Sequence, residues 1–210
     1  MRRRRLQGQV LCLAAANGML FSGGQDQTIR VWKFDAAANV FGCTAILRAE
    51  QGGHTAPVNA MCASGPFLFS GDFRGHIKVW DLTAGSVRQA IDRAHSGSAM
   101  PAITDLLVWE GHLISASLDG LIKVWEPAAD AGSGAVVNPA PIFNYPSDLD
   151  QQQQPAAGGR GRPVDDLPGI LALAGVQDVG GKAVLMASYN GEKVTEEAGR
   201  AGGASGPASL

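Results

Sequence analysis

Apolar residues fall along this chain in short alternating stretches, not at helical spacing. Three segments superimpose without gaps: Phe21 to Trp32 (FSGGQDQTIRVW), Phe69 to Trp80 (FSGDFRGHIKVW) and Ile114 to Trp125 (ISASLDGLIKVW). Each reads apolar, Ser, six intervening residues, Ile, a basic residue, Val, Trp, and the tryptophans recur at spacings of 48 and 45 residues. Within the first segment Ile29 and Val31 face one way, and Thr28, Arg30 and Trp32 the other. Another apolar stretch precedes each segment, at 10–14, 58–62 and 103–108. Each unit therefore predicts an inner strand, a second strand ending near the Ser, a tight turn, and a third strand ending at the Trp. The third strand is rich in β-branched and aromatic residues, which suits a sheet packed on both faces.

A fourth unit starts and then fails. Gly169 to Gly175 (GILALAG) predicts an inner strand, and Val184 to Gly191 (VLMASYNG) a second strand and turn. Glu196 and Glu197 occupy both positions where a terminal Trp would fall, and 198–210 carries no strand pattern. Between the third and fourth units, 147–163 is a Gln-, Gly- and Pro-rich stretch that cannot bury apolar surface and predicts a disordered loop. The expected organisation is a basic segment at 1–8, three units over 9–146, a disordered insert at 147–168, an incomplete fourth unit at 169–194, and a disordered tail at 195–210.

Composition narrows the function. The 28 glycines and 11 prolines among 210 residues favour many short strands over long helices. A net charge of −2 argues against the chain as a whole being a polyanion binder. Arg2 to Arg5 reads as a nuclear import signal, a phosphate contact or, equally, an incidental run, and Arg160 and Arg162 read first as part of a solvated loop, with a short RNA-touching element as the alternative. Cys12, Cys43 and Cys62 are odd in number and dispersed, which predicts reduced thiols in an intracellular protein. No apolar run is long enough to span a bilayer, and Gln7, Gly8 and Gln9 interrupt what would otherwise resemble a signal peptide. No phosphate-binding loop, HExxH pair or GxSxG elbow occurs, and His54 and His95 sit at repeat positions. The reading is a protein without catalysis, metal, cofactor, small-molecule substrate or membrane partner.

A period of about 40–45 residues closing on a Trp is the mark of a propeller blade. The segments resemble WD repeats over most of 9–127, which implies an all-β partial propeller: three blades and an incomplete fourth, each blade a four-stranded antiparallel sheet. In that family a His, an Asp, a Ser or Thr and the Trp form a buried relay within each blade. The resemblance maps it onto Ser22, Asp26 and Trp32, with Leu6 where the His belongs; onto His54, Ser70 and Trp80, with Arg74 in place of the Asp; and onto His95, Ser115, Asp119 and Trp125. It also puts the turn between second and third strands on one rim, exposing Gln25, Phe73, Arg74 and Leu118 as candidate partner contacts. No arginine soon follows Trp80-Asp81, so a ubiquitin-ligase substrate-receptor motif is missing.

The runs Asn17 to Asp26, Val31 to Phe41, Gly53 to Val58, Ser117 to Trp125 and Gly169 to Ala174 are together similar to plant CCCH zinc-finger proteins that carry WD repeats. That resemblance implies a nuclear regulatory protein recruiting protein partners through a propeller rim. It also implies that this chain is part of a longer protein, because propellers typically close with four to eight blades. No Cys-Cys-Cys-His cluster is present, so zinc and finger-mediated nucleic-acid binding do not carry over. The alternatives are a regulatory protein that itself binds RNA or DNA, and a truncated product with no independent activity.

Overall fold

The computed structural model describes residues 8–96, 100–129, 134–146 and 168–190. Three four-stranded antiparallel sheets and one two-stranded sheet follow one another along the chain. The first contains β1 (Val10–Ala16), β2 (Met19–Gly24), β3 (Ile29–Asp35) and β4 (Val40–Leu47). The second contains β5 (Val58–Ser64), β6 (Phe67–Asp72), β7 (Ile77–Asp81) and β8 (Ser86–Ile91). The third contains β9 (Ile103–Trp109), β10 (His112–Ser117), β11 (Ile122–Trp125) and the short β12 (Phe143–Tyr145). The fourth is the hairpin of β13 (Ile170–Gln177) and β14 (Ala183–Tyr189). Strands run in sequence order across each sheet, and the first strands β1, β5, β9 and β13 neighbour one another in turn. This is a partial propeller, with three blades and half of a fourth among the described residues. Of the segments expected at 1–8, 147–168 and 195–210, all but residues 8 and 168 lie outside them, as does 191–194 of the expected fourth unit.

Strand alternation explains the stacking. In the second blade Leu68 and Trp80 pack toward the first, with Phe21, Ile29, Val31 and Val58. Phe69, Ile77 and Val79 point the other way, into a cluster with Ile103, Leu113 and Trp125 of the third blade. Ile114 and Ile122 of that blade meet Ile170 of the fourth. Each sheet is thus apolar on both faces, and burying both faces is the main source of stability. The blades approach closely because small residues stand where one sheet crosses the next blade's inner strand: a Cβ on Gly71 would lie 2.5 Å from Ile103.

Among the described residues, nothing covers the two end faces. Trp80 and Trp125 are 1% exposed, whereas Trp32, with no preceding sheet among the described residues to pack on, is only half-buried. Leu11 and Leu13 of β1 are exposed, as are Leu171 and Met186 of the last hairpin.

Polar side chains tie the blades together. Gln89 of β8 accepts from the amides of Val136 and Val137 and donates to the Val137 carbonyl. Asp105 of β9 accepts from the Leu173 amide at 2.7 Å, and Thr104 donates to the Ile170 carbonyl at 2.6 Å. The three cysteines are unpaired, and burial pushes the Cys12 and Cys62 thiols up to about 12.

Candidate functional site

In the second blade, Trp80 Nε1 donates to Ser70 Oγ at 2.8 Å, and Ser70 Oγ lies 2.7 Å from His54 Nε2. His54 Nδ1 in turn lies 2.9 Å from a carboxylate oxygen of Asp72. A carboxylate only accepts, so Nδ1 carries the proton and Nε2 accepts from the serine hydroxyl. The acid is therefore Asp72, not a residue at position 74: the expectation that Arg74 leaves this relay without its carboxylate is corrected. Asp72 ends β6 two positions earlier, where the strand's pleat already aims its side chain at the ring.

The third blade joins the residues the repeat aligned. Trp125 Nε1 donates to Ser115 Oγ at 2.9 Å, Ser115 Oγ is 2.8 Å from His95 Nε2, and His95 Nδ1 is 3.0 Å from Asp119. The first blade is wired differently. Trp32 Nε1 donates to Ser22 Oγ at 2.9 Å, but Asp26 pairs with Arg30 at 3.0 Å and accepts from the Thr28 hydroxyl at 2.7 Å. Arg30 is buried, and its Nε has no partner among the described residues. Leu6 lies outside the described residues.

Each carboxylate also shapes the turn beyond it. Asp72 Oδ1 accepts from the amides of Arg74 at 2.8 Å and His76 at 3.1 Å, and His76 Nδ1 reaches Oδ2 at 3.1 Å. Asp119 accepts from the Leu121 amide, with Ser117 Oγ accepting from the Asp119 amide. The relay thus runs from the Trp on the third strand to the turn that carries the candidate contacts. Of these, Gln25 and Arg74 are exposed and Phe73 is 44% exposed. Leu118 is half-buried, with Gly169 packed beside it at the entry to the fourth blade.

Phe73 and Arg74 line a concavity of about 770 Å³ with His76, Arg93, His95, Ser96 and Pro101. It forms where the second blade's turn meets the segment leading into the third blade. The His95 amide donates to the Gly75 carbonyl at 3.1 Å. Sequence reasoning singled out Phe73 and Arg74 as partner contacts and His95 as a relay member, and gave no binding role to Arg93, His76 or Pro101. Arg93 follows β8 without a motif, and only its place in space marks it. The four candidates do not form one patch: Gln25 and Leu118 are absent from this concavity.

The relay titrates in a definite sense. Burial disfavours the charged rings and lowers the pKa of His54 and His95 below the usual 6.5, although Asp72 and Asp119 pull the other way. Burial also works to raise the Asp72 carboxyl, but hydrogen bonds from His54 and from the His76 and Arg74 amides outweigh it and hold it at about 2. Histidines held neutral contribute stability that is present above their unfolded pKa and lost as pH falls below it. Asp72 adds a loss between its unfolded value of 3.8 and about 2. Half-buried Asp105, whose pKa desolvation raises, works against this trend. The urea midpoint is therefore expected to fall on acidification below about pH 6.5 and more steeply below about pH 4. A midpoint unchanged between neutral pH and about pH 5 would contradict neutral buried histidines.

Comparison with known proteins agrees with this architecture. The family model "WD domain, G-beta repeat" matches residues 2–33 and 43–81. Zinc finger CCCH domain-containing protein 59 of Arabidopsis thaliana is 40% identical over 85 residues, 40% of this chain and 17% of that protein. Zinc finger CCCH domain-containing protein 17 of Oryza sativa subsp. japonica is 36% identical over 93 residues, 44% of this chain and 20% of that protein. The chain thus matches about a fifth of the length of each of these relatives. Other WD proteins match as well, among them the F-box/WD repeat-containing protein sel-10 of Caenorhabditis elegans, 30% identical over 118 residues, 55% of this chain and 18% of that protein.

Among solved structures, the computationally designed Ika4 protein aligns with a TM-score of 0.56 at 20% identity, covering 90% of this chain and 95% of that one. The RRP9 WD40 repeats align at 0.52 and 22% identity, covering 67% and 40%. Among the described residues, no helix is long and apolar enough to cross a membrane. Residues 2–33 and 43–81 thus match WD repeats, the sheets fold as consecutive blades of a β-propeller, and the chain is similar in sequence to plant CCCH zinc-finger proteins among other WD proteins.

Proposed function

We propose that this chain is a non-catalytic protein-interaction scaffold, a propeller part of a nuclear regulatory protein of the CCCH zinc-finger type. It presents its partner contact on the rim turn at Phe73 and Arg74. WD repeats support the scaffold role, and the similarity to the plant zinc-finger proteins supports the regulatory setting. The observation that carries the site is the exposed aromatic–arginine pair, held by Asp72 over a concavity. Aromatic residues and arginine are enriched at interface anchors, where a rigid ring and a forked donor give large contact for little lost freedom.

The rim also has the stability a binding surface needs. The turn hangs on a buried relay, so it is ordered before a partner arrives and less ordering entropy is lost on docking. The test is Phe73→Ala combined with Arg74→Ala. The expected result is at least about tenfold weaker capture of bound partners, with the unfolding midpoint unchanged, because truncating interface anchors typically costs more than 1 kcal/mol. A Phe34→Ala and Phe41→Ala double variant, distant in sequence and also exposed, serves as control. Undiminished capture by the rim variant would overturn the assignment.

A further inference from the structure

We propose that the concavity beside Phe73 recognises an acidic peptide segment of the partner, in which carboxylates engage Arg74 and Arg93 while a neighbouring apolar side chain packs on Phe73 and Pro101. The inference rests on the scaffold reading above and adds the chemistry of what binds there.

Charge is the first argument. Two arginines, Arg74 and Arg93, line the concavity beside His76 and His95, and among the described residues no aspartate or glutamate does. Arg74 and Arg93 are exposed, and neither has a carboxylate within ion-pair distance among the described residues. The nearby carboxylate of Asp72 is buried and already accepts from His54, His76 and the Arg74 amide. Among the described residues the two guanidinium groups thus have no carboxylate to neutralise them, in a protein whose net charge is −2. Arginine forks match carboxylates with two parallel hydrogen bonds.

Geometry is the second argument. Arg93 adopts a left-handed backbone, φ 56°, where glycine or asparagine would be less strained. That conformation places an arginine in the turn after β8, opposite the Phe73–His76 turn. His95, fully buried in the third blade's relay, is also part of the lining, so the pocket wall belongs to the rigid part of the fold. The apolar share of the lining favours a peptide over a nucleic acid. Phe73 and Pro101 offer a surface for a side chain, and a single pair of arginines is short of the phosphate-tracking stripe that nucleic acid requires.

The probe is a short fluorescein-labelled peptide of alternating Glu and Leu, titrated with the full chain by fluorescence anisotropy. It is compared with a Gln–Leu counterpart, a phosphoserine–Leu counterpart and a single-stranded oligothymidine. The Glu–Leu peptide is expected to bind at least about tenfold tighter than the Gln–Leu one, with affinity falling as salt rises. Arg74→Glu and Arg93→Glu are each expected to weaken it about tenfold. Arg93→Gly, which relieves the backbone while deleting the guanidinium, should lose binding with the fold intact.

Equal binding of the Glu–Leu and Gln–Leu peptides, or no effect of either Arg93 variant, would overturn the proposal. So would a phosphoserine peptide or oligothymidine binding at least about tenfold tighter than Glu–Leu. If none of the peptides binds while Phe73→Ala with Arg74→Ala still abolishes partner capture, this inference fails and the scaffold reading stands.

Discussion

Asp72→Ala is expected to destabilise the chain by roughly 3–5 kcal/mol, lowering the thermal midpoint by about 10 °C. The substitution removes one acceptor that serves four donors: the rings of His54 and His76 and the amides of Arg74 and His76. His54 is fully buried, so its N–H would face an apolar interior with no replacement partner. The damage should pass along the relay, since His54 then no longer orients Ser70, and Ser70 is the acceptor for Trp80. Arg74→Ala, at the aligned position where the repeat pattern would place the acid, is expected to change stability by less than about 0.5 kcal/mol. Thermal unfolding of the two variants side by side decides the matter. A small effect at Asp72, or a large one at Arg74, would reassign the relay.

Gly75→Ala should be nearly as costly, at roughly 3 kcal/mol, for a different reason. Gly75 has φ 78°, and a Cβ there would collide with the backbone carbonyl oxygen of His95 and lie 2.9 Å from that of Pro101. Backbone atoms in the next blade's entry segment cannot swing aside as a side-chain tip would. Gly85 separates the two contributions: it has φ 66° and nothing within 4 Å of its would-be Cβ. Gly85→Ala should therefore show only the conformational cost, about 1–2 kcal/mol. Equal losses at the two positions, measured by urea unfolding, would mean that the turn at 73–76 does not bear on His95. A larger loss at Gly75, with weaker Glu–Leu peptide binding, would show that this contact assembles both the fold and the concavity.

The blades were legible in the sequence because a strand declares itself locally. Alternation of Ile29, Val31 and their counterparts around Arg30, Lys78 and Lys123 is a property of adjacent residues, and the recurring Trp sets the period. The outer strands β4, β8 and β12 were less visible. Val40–Leu47 is largely exposed and shows no burial alternation to read. They came only from the family resemblance. The third blade's relay was legible by alignment, since Ser115, Asp119 and Trp125 keep their offsets, and His95 stands four residues further upstream, as an insertion at 96–99 requires.

The second blade's relay was misread because alignment assumes that equivalent roles occupy equivalent positions. Asp72 and Asp119 stand two aligned positions apart, yet both meet the Nδ1 of a histidine, at 2.9 and 3.0 Å. Hydrogen bonding selects the position of the oxygen in space and is indifferent to which backbone position delivers it.

Local patterning thus determined the first three strands of each full unit, their order and their faces, because pleat and period are short-range properties of the chain. What the tertiary structure alone decided was which turns meet. Arg74 and Arg93 come from different turns, and no sequence pattern links them. They share one concavity because Gly75 lets the second blade's turn settle against His95, a contact made only when the two blades pack.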